Sequence, residues 1–304
     1  MPYKPRYNHQ ENINSVIKIF LKTALLIIAM QFVLPSQAKT AKTIYINAGM
    51  FTAVDGKQFP YVAFNNSKSF DQENARILFN VGDTLQLTVV NKDAVIHGFN
   101  IKGEVIQYLI SAGDSITLDL TTDEAKAWFY HDHSQNDRYY AMGLGGMIVA
   151  LNSTSSAKRF YWNIKDHQKS FNDSLSNGKQ VEWNKYEPDY FTINGKSHPQ
   201  INADASARIA GVVGDTIHIY MVNTGKGIHD IHYHGYHCRI IQSTKNPNHI
   251  GRSKDTFPIY SKEIVVVELV PHQPGEFPVH EHNLVAVTGG GYYPSGMFST
   301  ILIQ

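Results

Sequence analysis

An internal repeat constrains the fold of this 304-residue chain more than any other feature of its sequence. Residues 81–103 read VGDTLQLTVVNKDAVIHGFNIKG, and residues 213–235 read VGDTIHIYMVNTGKGIHDIHYHG. Residues 127–149 begin AWFYHDH and match residues 276–302, which begin EFPVHEH. A repeat of about 130 residues is long enough to form a whole domain rather than one unit of a solenoid. The sequence therefore predicts two copies of one domain in tandem.

Short strand-like runs separated by turn signals fill both halves. The chain is 42% hydrophobic and only 17% charged, and it is rich in aromatic and β-branched residues, which favours strands. The predicted strands lie at 43–46, 76–79, 84–90, 115–120, 127–131 and 146–151, and then at 160–164, 190–193, 216–222, 238–241, 263–270, 277–280 and 298–303. This pattern predicts an all-β fold of two β-sandwiches, over residues 39–155 and 156–304.

The first 38 residues have the features of a secretory signal. Lys18 and Lys22 precede an eleven-residue apolar run at 23–33, and a small-residue site ends at Ala38. The run is too short to span a bilayer core of about 30 Å, so no stable membrane anchor is expected. Cleavage near Ala38 would place the protein in the periplasm or outside the cell. Its net charge would fall from +1 to about −2, and the sequence shows no basic patch for nucleic acid.

Three His-x-His pairs stand out among the 15 histidines. Alternate side chains of a strand point to the same side of the sheet, so each pair can present two imidazoles together. Neutral imidazole is a common ligand of transition metals. The sequence therefore predicts a metal site drawn from six histidines, namely His131, His133, His232, His234, His280 and His282.

Each half resembles a cupredoxin domain, and the pair resembles two-domain multicopper oxidases and copper nitrite reductases across nearly all of residues 42–304. The resemblance rests on a Gly-Asp-Thr turn leading to Asn-x5-His, on FTING at 191–195, on PGEF at 274–277 and on the His-x-His pairs. It implies tandem Greek-key cupredoxin-like sandwiches that bind copper. It also implies a homotrimer, with metal sites between domain 1 of one subunit and domain 2 of the next.

The family's motif for blue, type 1 copper is His-Cys-His, and this chain departs from it. Asp132 and Glu281 occupy the cysteine positions, so neither half is expected to hold a blue copper, which requires a thiolate. Both carboxylates are expected to face away from the paired histidines, where they either bind a hard metal or a proton or, as we expect, are hydrogen-bonded in the former copper pocket. His97, His229 and Met297 match other type 1 positions and are weaker metal candidates.

By the same resemblance, His133, His234 and His280 form a complete three-histidine set for one copper. His131 and His282 would serve a neighbouring copper that lacks its third ligand, because Lys102 stands in that place. Asn100 replaces another cluster histidine, and His232 is left as a remnant. A mononuclear or incomplete dinuclear copper site is the expectation, with the number of coppers left open.

One cysteine and four tyrosines are the remaining residues of interest. The lone Cys238 excludes an intrachain disulfide and is expected to be a buried core thiol. The tyrosines that follow two of the His-x-His pairs either pack as ordinary aromatics or act as redox or substrate-shaping groups; they are Tyr139, Tyr140, Tyr292 and Tyr293.

Three functions fit these residues. The first is an exported copper oxidoreductase that binds O2 or a small substrate directly at the histidine site. The second is a non-catalytic protein that binds, stores or carries copper at the same residues. The third is a structural cupredoxin whose metal sites have decayed. An exchangeable coordination position favours the first, a closed inert site the second, and an absence of stoichiometric metal the third.

Overall fold

The computed structural model describes Met1 and residues 38–304. The predicted signal segment lies almost wholly outside these residues. Lys39–Gln304 form one compact unit. Within residues 38–304, no helix is long and apolar enough to cross a membrane.

Residues 39–151 contain nine strands in two sheets. One sheet has the order β2-β1-β4-β7, and the other has the order β3-β9-β8-β5-β6. The strands are β1 (Lys39–Thr52), β2 (Gln58–Asn65), β3 (Arg76–Asn80), β4 (Thr84–Asn91), β5 (His97–Ile101), β6 (Ile106–Ile110), β7 (Ser115–Thr121), β8 (Lys126–His131) and β9 (Gly145–Leu151).

The second half repeats this plan with eleven strands. Its sheets have the orders β11-β10-β13-β18-β15-β16 and β12-β20-β19-β14-β17. The strands are β10 (Lys158–His167), β11 (Tyr190–Ile193), β12 (Ala210–Gly211), β13 (Ile217–Asn223), β14 (His229–Tyr233), β15 (Cys238–Ser243), β16 (Ser253–Lys254), β17 (Thr256–Ile259), β18 (Glu263–Leu269), β19 (Gly275–Glu281) and β20 (Phe298–Ile303). The predicted all-β, two-sandwich fold is confirmed.

Between residues 38 and 304, three short helices interrupt the strands: α1 (Arg138–Met142), α2 (Lys169–Ser176) and α3 (Gln200–Ala203). None of them was predicted. Helix α1 lies in the segment after the first His-x-His pair, and a 3-10 turn at Leu284–Val287 lies in the corresponding segment of domain 2. These segments cover the ends of the strands that carry the histidines.

Each sandwich encloses its own apolar core, because alternate residues of its strands face inward. Phe64, Leu87 and Tyr130 belong to the core of domain 1, and Trp162 and Val267 to that of domain 2. Cys238 is fully buried in the second core, as expected from the sequence.

The buried thiol of Cys238 is expected to be unreactive in the folded protein. Burial raises the pKa of this thiol, and only the thiolate reacts with aromatic disulfide reagents. Native protein should therefore release almost no chromophore from such a reagent, whereas protein in guanidinium chloride should release one equivalent per chain, since Cys238 is the only cysteine. Rapid stoichiometric labelling of the native protein would contradict the burial.

A third apolar cluster joins the two halves. It includes Phe129 and Val149 from domain 1 and Tyr220 and Val266 from domain 2. Tyr140 is fully buried in it and donates a hydrogen bond to the Gly225 carbonyl oxygen at 2.9 Å. The outward faces of β8 and β9 are thereby packed against domain 2 of the same chain.

Candidate metal centre

Strand register brings the domain 2 histidines together. His232 on β14 lies directly opposite His280 on β19, and Thr256 on β17 lies opposite His232 from the other side. His234 and His282 follow two residues after His232 and His280, so side-chain alternation places all four imidazoles on one side of the sheet. Two His-x-His pairs distant in sequence thus form one four-histidine cluster.

The imidazoles of this cluster are in mutual contact. The ring centroid of His232 lies 4.4 Å from that of His234, 5.7 Å from that of His280 and 5.4 Å from that of His282. The Nε2 atoms of His234 and His280 face each other at 3.0 Å. His282 is exposed and the other three are partly exposed, so the cluster lies at the surface of domain 2.

Hydrogen bonds orient two of these rings. His280 Nδ1 donates to the main-chain oxygen of Glu281 at 2.8 Å, which leaves Nε2 with its lone pair. His232 Nδ1 lies 2.7 Å from Thr256 Oγ1. Burial, together with the neighbouring imidazoles, lowers the pKa of His234 and of His280, which keeps them neutral. His280 is thus a neutral ring held through Nδ1, which is the form that binds a metal through Nε2, whereas His234 Nε2 donates a hydrogen bond to His280 Nε2 and must change tautomer to bind one.

The cluster fits a transition metal in donor type and spacing. Two nitrogen ligands on a tetrahedral ion with bonds of about 2.0 Å are separated by about 3.3 Å. The 3.0 Å between His234 Nε2 and His280 Nε2 is close to this value. No three histidine, cysteine or carboxylate side chains in residues 38–304 are already arranged around one metal position. Within the described residues the cluster therefore offers a pair of facing nitrogens rather than a complete coordination sphere.

Domain 1 carries a counterpart of this cluster with fewer histidines. Asn100 on β5 lies opposite His131 on β8, as His232 lies opposite His280 in domain 2. His131 is buried, stacks on Phe129 at 4.7 Å and has an Nδ1 atom without a hydrogen-bond partner. Burial lowers the pKa of His131 to about 3, and the Lys262 ammonium adds to the effect. His131 is therefore a neutral imidazole at the boundary with domain 2 of its own chain.

His133 and Lys102 occupy different places around His131. His133 is partly exposed, and its buried Nδ1 has no hydrogen-bond partner. A Cβ added to Gly98 would lie 2.7 Å from that atom, so the glycine leaves room for the ring. Lys102 Nζ donates to the main-chain oxygen of Lys262 at 3.0 Å, which directs it to the domain boundary.

Asp132 points into the pocket around His97, which the resemblance matches to a type 1 copper pocket, and it is fully hydrogen-bonded there. Its Oδ2 lies 2.9 Å from His97 Nδ1, and its Oδ1 accepts from the main-chain N–H of Gly98 and Ser134. His97 Nε2 lies 2.9 Å from Asp93 Oδ2. Both ring nitrogens of His97 thus contact a carboxylate, which leaves no lone pair for a metal in this arrangement.

The Asp93–His97–Asp132 triad should give the copper-free protein a characteristic pH dependence. Burial opposes protonation, but the bonds to Asp132 and Asp93 outweigh it and raise the pKa of His97, while His97 lowers the pKa of Asp93. A raised histidine pKa contributes stability that is complete below about pH 6.5 and is lost as pH rises through the folded-state pKa. The Asp93 contribution is lost as pH falls below about 4.

Chemical denaturation between pH 4 and 9 checks this expectation. The unfolding free energy of the wild type should decline above about pH 6.5, and His97→Gln should flatten that decline. His237→Gln, which alters an exposed histidine, is the control and should retain the wild-type slope. Identical slopes for wild type and His97→Gln would contradict the assignment.

Domain 2 repeats the carboxylate–histidine–carboxylate arrangement in a looser form. His229 Nε2 lies 3.3 Å from Asp166 Oδ2, and its Nδ1 lies 3.9 Å from Glu281 Oε1. The contact between His229 Nε2 and Asp166 Oδ2 is short enough for an ion pair, but its geometry is not that of a hydrogen bond. His229 Nε2 therefore has no hydrogen-bond partner. Glu281 Oε1 accepts from Asp230 N at 3.0 Å, but the buried Oε2 has no hydrogen-bond partner. Burial raises the pKa of Glu281.

Asp166, by contrast, is well satisfied. It accepts hydrogen bonds from the Tyr186 hydroxyl at 2.9 Å and from the main-chain N–H of Lys226 and Gly227. Although burial opposes ionisation, the contacts with His229 and these N–H groups hold the pKa of Asp166 well below its usual range. A carboxylate is therefore fixed beside His229.

The other candidates take structural positions. Met297 is fully buried in the domain 2 core. Tyr139 packs edge-on against His97 at 4.4 Å between ring centroids and closes the domain 1 pocket, whereas Tyr292 and Tyr293 are exposed. The sequence reasoning missed Asp93, Asp166 and Thr256. Asp93 lies four residues before His97 and carried a local signal. Thr256 reaches the site only through the pairing of β17 with β14, and Asp166 reaches it from the opposite sheet of the sandwich.

Comparison with known proteins shows which sequences and folds this chain resembles. Residues 170–295 match the sequence model described as multicopper oxidase. The blue copper oxidase of Nitrosomonas europaea superimposes with a TM-score of 0.72 at 22% identity, covering 87% of this chain and 86% of that one. The fold is that of a multicopper oxidase. The family resemblance expected from the sequence is confirmed.

Two copper nitrite reductases share this multicopper oxidase fold. That of N. europaea gives a TM-score of 0.68 at 16% identity, covering 88% of this chain and 94% of that one. That of Thermus scotoductus gives 0.66 at 19% identity, covering 88% and 62%. No curated protein sequence gives a significant match. At these identities the structural likeness establishes the fold, and the activity must be argued from the site.

Proposed function

We propose that this chain is an exported copper-dependent oxidoreductase that works at its histidine cluster without a type 1 relay. The observation that carries the proposal is the 3.0 Å approach of His234 Nε2 to His280 Nε2 within four neighbouring imidazoles. Imidazole nitrogens suit copper among the transition metals. The match to multicopper oxidases supports copper as the cofactor.

The protein residues have distinct tasks around the metal. His234 and His280 would hold copper through Nε2, while the Glu281 carbonyl and Thr256 fix the orientations of His280 and His232. Phe298 stacks on His280 at 5.9 Å between ring centroids and shields one side of the ring from water. Copper, when bound, supplies Lewis acidity and one-electron redox chemistry to O2 or a small substrate at an open position.

We further propose that domain 1 of a neighbouring subunit completes the site within a homotrimer. The domain 2 cluster is partly exposed. In residues 38–304 of one chain, neither His131 nor His133 stacks on or hydrogen-bonds to the domain 2 histidines. His133 has a partly exposed ring and is the proposed third ligand beside His234 and His280.

Subunit mixing tests the location of the site. His133→Ala and His280→Ala each remove one ligand from every site, so each pure oligomer should lose stoichiometric copper. Oligomers assembled from both variants should regain intact sites wherever the wild-type faces of two subunits meet. Recovery of copper in the mixture supports an intersubunit site. Failure to recover it, with light scattering showing mixed oligomers, supports a site within one chain.

Oxygen uptake by the copper-loaded protein tests the activity. Phenols, reduced metal ions and nitrite are the substrates to compare, with metal content and the electron paramagnetic resonance spectrum recorded on the same sample. Copper-dependent turnover is the expected result. Stoichiometric copper with no turnover on any substrate would overturn the oxidoreductase and leave copper storage or carriage.

Copper storage or carriage is the second candidate, and two observations favour it. Asn100 and Lys102 occupy positions where the resemblance implies histidine ligands, which reduces the number of coppers that can be held. In residues 38–304 no three donors are already arranged around one metal position. A copper that exchanges its water slowly and resists reductants would indicate this function.

A further inference from the structure

The former type 1 pocket of domain 2 contains a cavity of about 580 Å³ that the copper proposal does not use. Asp166, His229 and Glu281 contribute polar groups to its wall. Phe191 and Ala286 contribute apolar surface. This volume lies in the range of pockets that bind small organic molecules, about 300–1,000 Å³.

The matching pocket in domain 1 is sealed. There, His97 is 0% exposed, contacts carboxylates through both nitrogens and is covered by Tyr139. In domain 2, the corresponding His229 and Glu281 are just as buried, yet they are 3.9 Å apart and each keeps a polar atom without a hydrogen-bond partner. The domain 1 pocket is therefore filled by its own side chains, whereas the domain 2 pocket contains an open cavity.

The unpartnered atoms define what the cavity would accept. Glu281 Oε2 is a buried acceptor without a donor, which is costly unless a ligand supplies one. Asp166 and Glu187 add two more carboxyl groups to the wall, and no lysine or arginine is among the described residues that line it. The electrostatic field of the cavity therefore favours a cation that can donate hydrogen bonds.

The remaining wall favours an apolar body on that cation. Tyr186 and Phe191 offer aromatic surface, and Ile228 and Val285 are exposed aliphatic residues at the same cavity. Aromatic groups also attract cations through their ring faces. A bare metal ion fits less well, because Asp166 and Glu281 contact opposite nitrogens of His229 instead of converging on one point.

We propose that this cavity, between Asp166, His229 and Glu281, is a binding site for a small organic ammonium ion with an aromatic or aliphatic body. The ammonium donates to Glu281 Oε2, and the body packs against Phe191 and Val285. The proposal is independent of copper, because none of these side chains belongs to the four-histidine cluster.

Calorimetric titration of the full protein tests the site with three probes of similar size. These are 2-phenylethylammonium, the neutral 2-phenylethanol and the anionic 3-phenylpropanoate. We expect saturable one-to-one binding of the ammonium, at least about 10-fold tighter than that of the alcohol, and no binding of the anion. Equal binding of alcohol and ammonium, or no saturable binding of the ammonium, would overturn the proposal without reference to any variant.

Two variants and the metal state locate the binding. Glu281→Gln should weaken ammonium binding at least about 10-fold, whereas Asp119→Asn, which removes an exposed carboxylate of domain 1, should leave it unchanged. Circular dichroism and the thermal midpoint establish that each variant is folded. The ammonium should bind copper-free and copper-loaded protein equally. Binding only to the loaded form would show that the amine group coordinates copper and would exclude the cavity.

Discussion

Alanine in place of His280 is expected to abolish stoichiometric copper binding. His280 contacts both His232 and His234, and its Nε2 faces that of His234 at 3.0 Å. Losing even an orienting partner of a metal ligand costs about 10–100-fold in affinity, so losing the ligand itself should cost about 100-fold or more. Copper per chain after dialysis against a weak chelator is the measurement.

Two further variants show whether the loss is specific. Thr256→Val removes the hydroxyl beside His232 Nδ1, and His232 is not one of the proposed ligands, so copper affinity should fall far less than in His280→Ala. His272→Ala changes an exposed histidine of the same domain and should keep wild-type copper content. If His280→Ala retained full copper while His272→Ala lost it, the metal would lie elsewhere.

Alanine in place of Asp132 is expected to destabilise the copper-free protein by about 3–5 kcal/mol, because it leaves a buried histidine and buried N–H groups without their acceptor. Asp132 accepts from His97, Gly98 and Ser134 and is fully buried. The midpoint and slope of urea unfolding give the free energy.

The equivalent change in domain 2 is the matched control. The Glu281 carboxylate accepts one hydrogen bond, from Asp230 N, and lies 3.9 Å from His229, so Glu281→Ala should cost only about 1–2 kcal/mol. The water-accessible cavity beside it can also solvate the groups that remain. Equal losses in the two variants would mean that the open and sealed pockets do not differ energetically.

The sequence predicted the fold well because its strongest signals are local. Most predicted strands agree with the structure within one or two residues, such as 84–90 for β4 at Thr84–Asn91. Strand β2 at Gln58–Asn65 was missed because it contains Pro60 and is buried on both faces, which removes the alternation that identifies a strand. Helix α2 was missed because it is a single short insertion without a repeat partner.

The candidate site was predictable only in part, because local spacing can be read from the sequence but strand register cannot. The His-x-His spacing already implies that His280 and His282 share a face. Nothing in the sequence gives the register that sets His232 opposite His280, since strand pairing depends on the whole sheet. Asp166 approaches His229 from a strand more than 60 residues earlier, and only the tertiary structure reveals that contact.

The apolar cluster shared by the two halves determines whether the two domains can unfold separately. A duplicated domain could in principle still fold alone, but residues such as Phe129 and Val149 would then face water over a whole sheet surface. The Tyr140 hydroxyl would also lose its acceptor on Gly225. Each half covers an apolar sheet face of the other, so the two domains should unfold together as one cooperative unit.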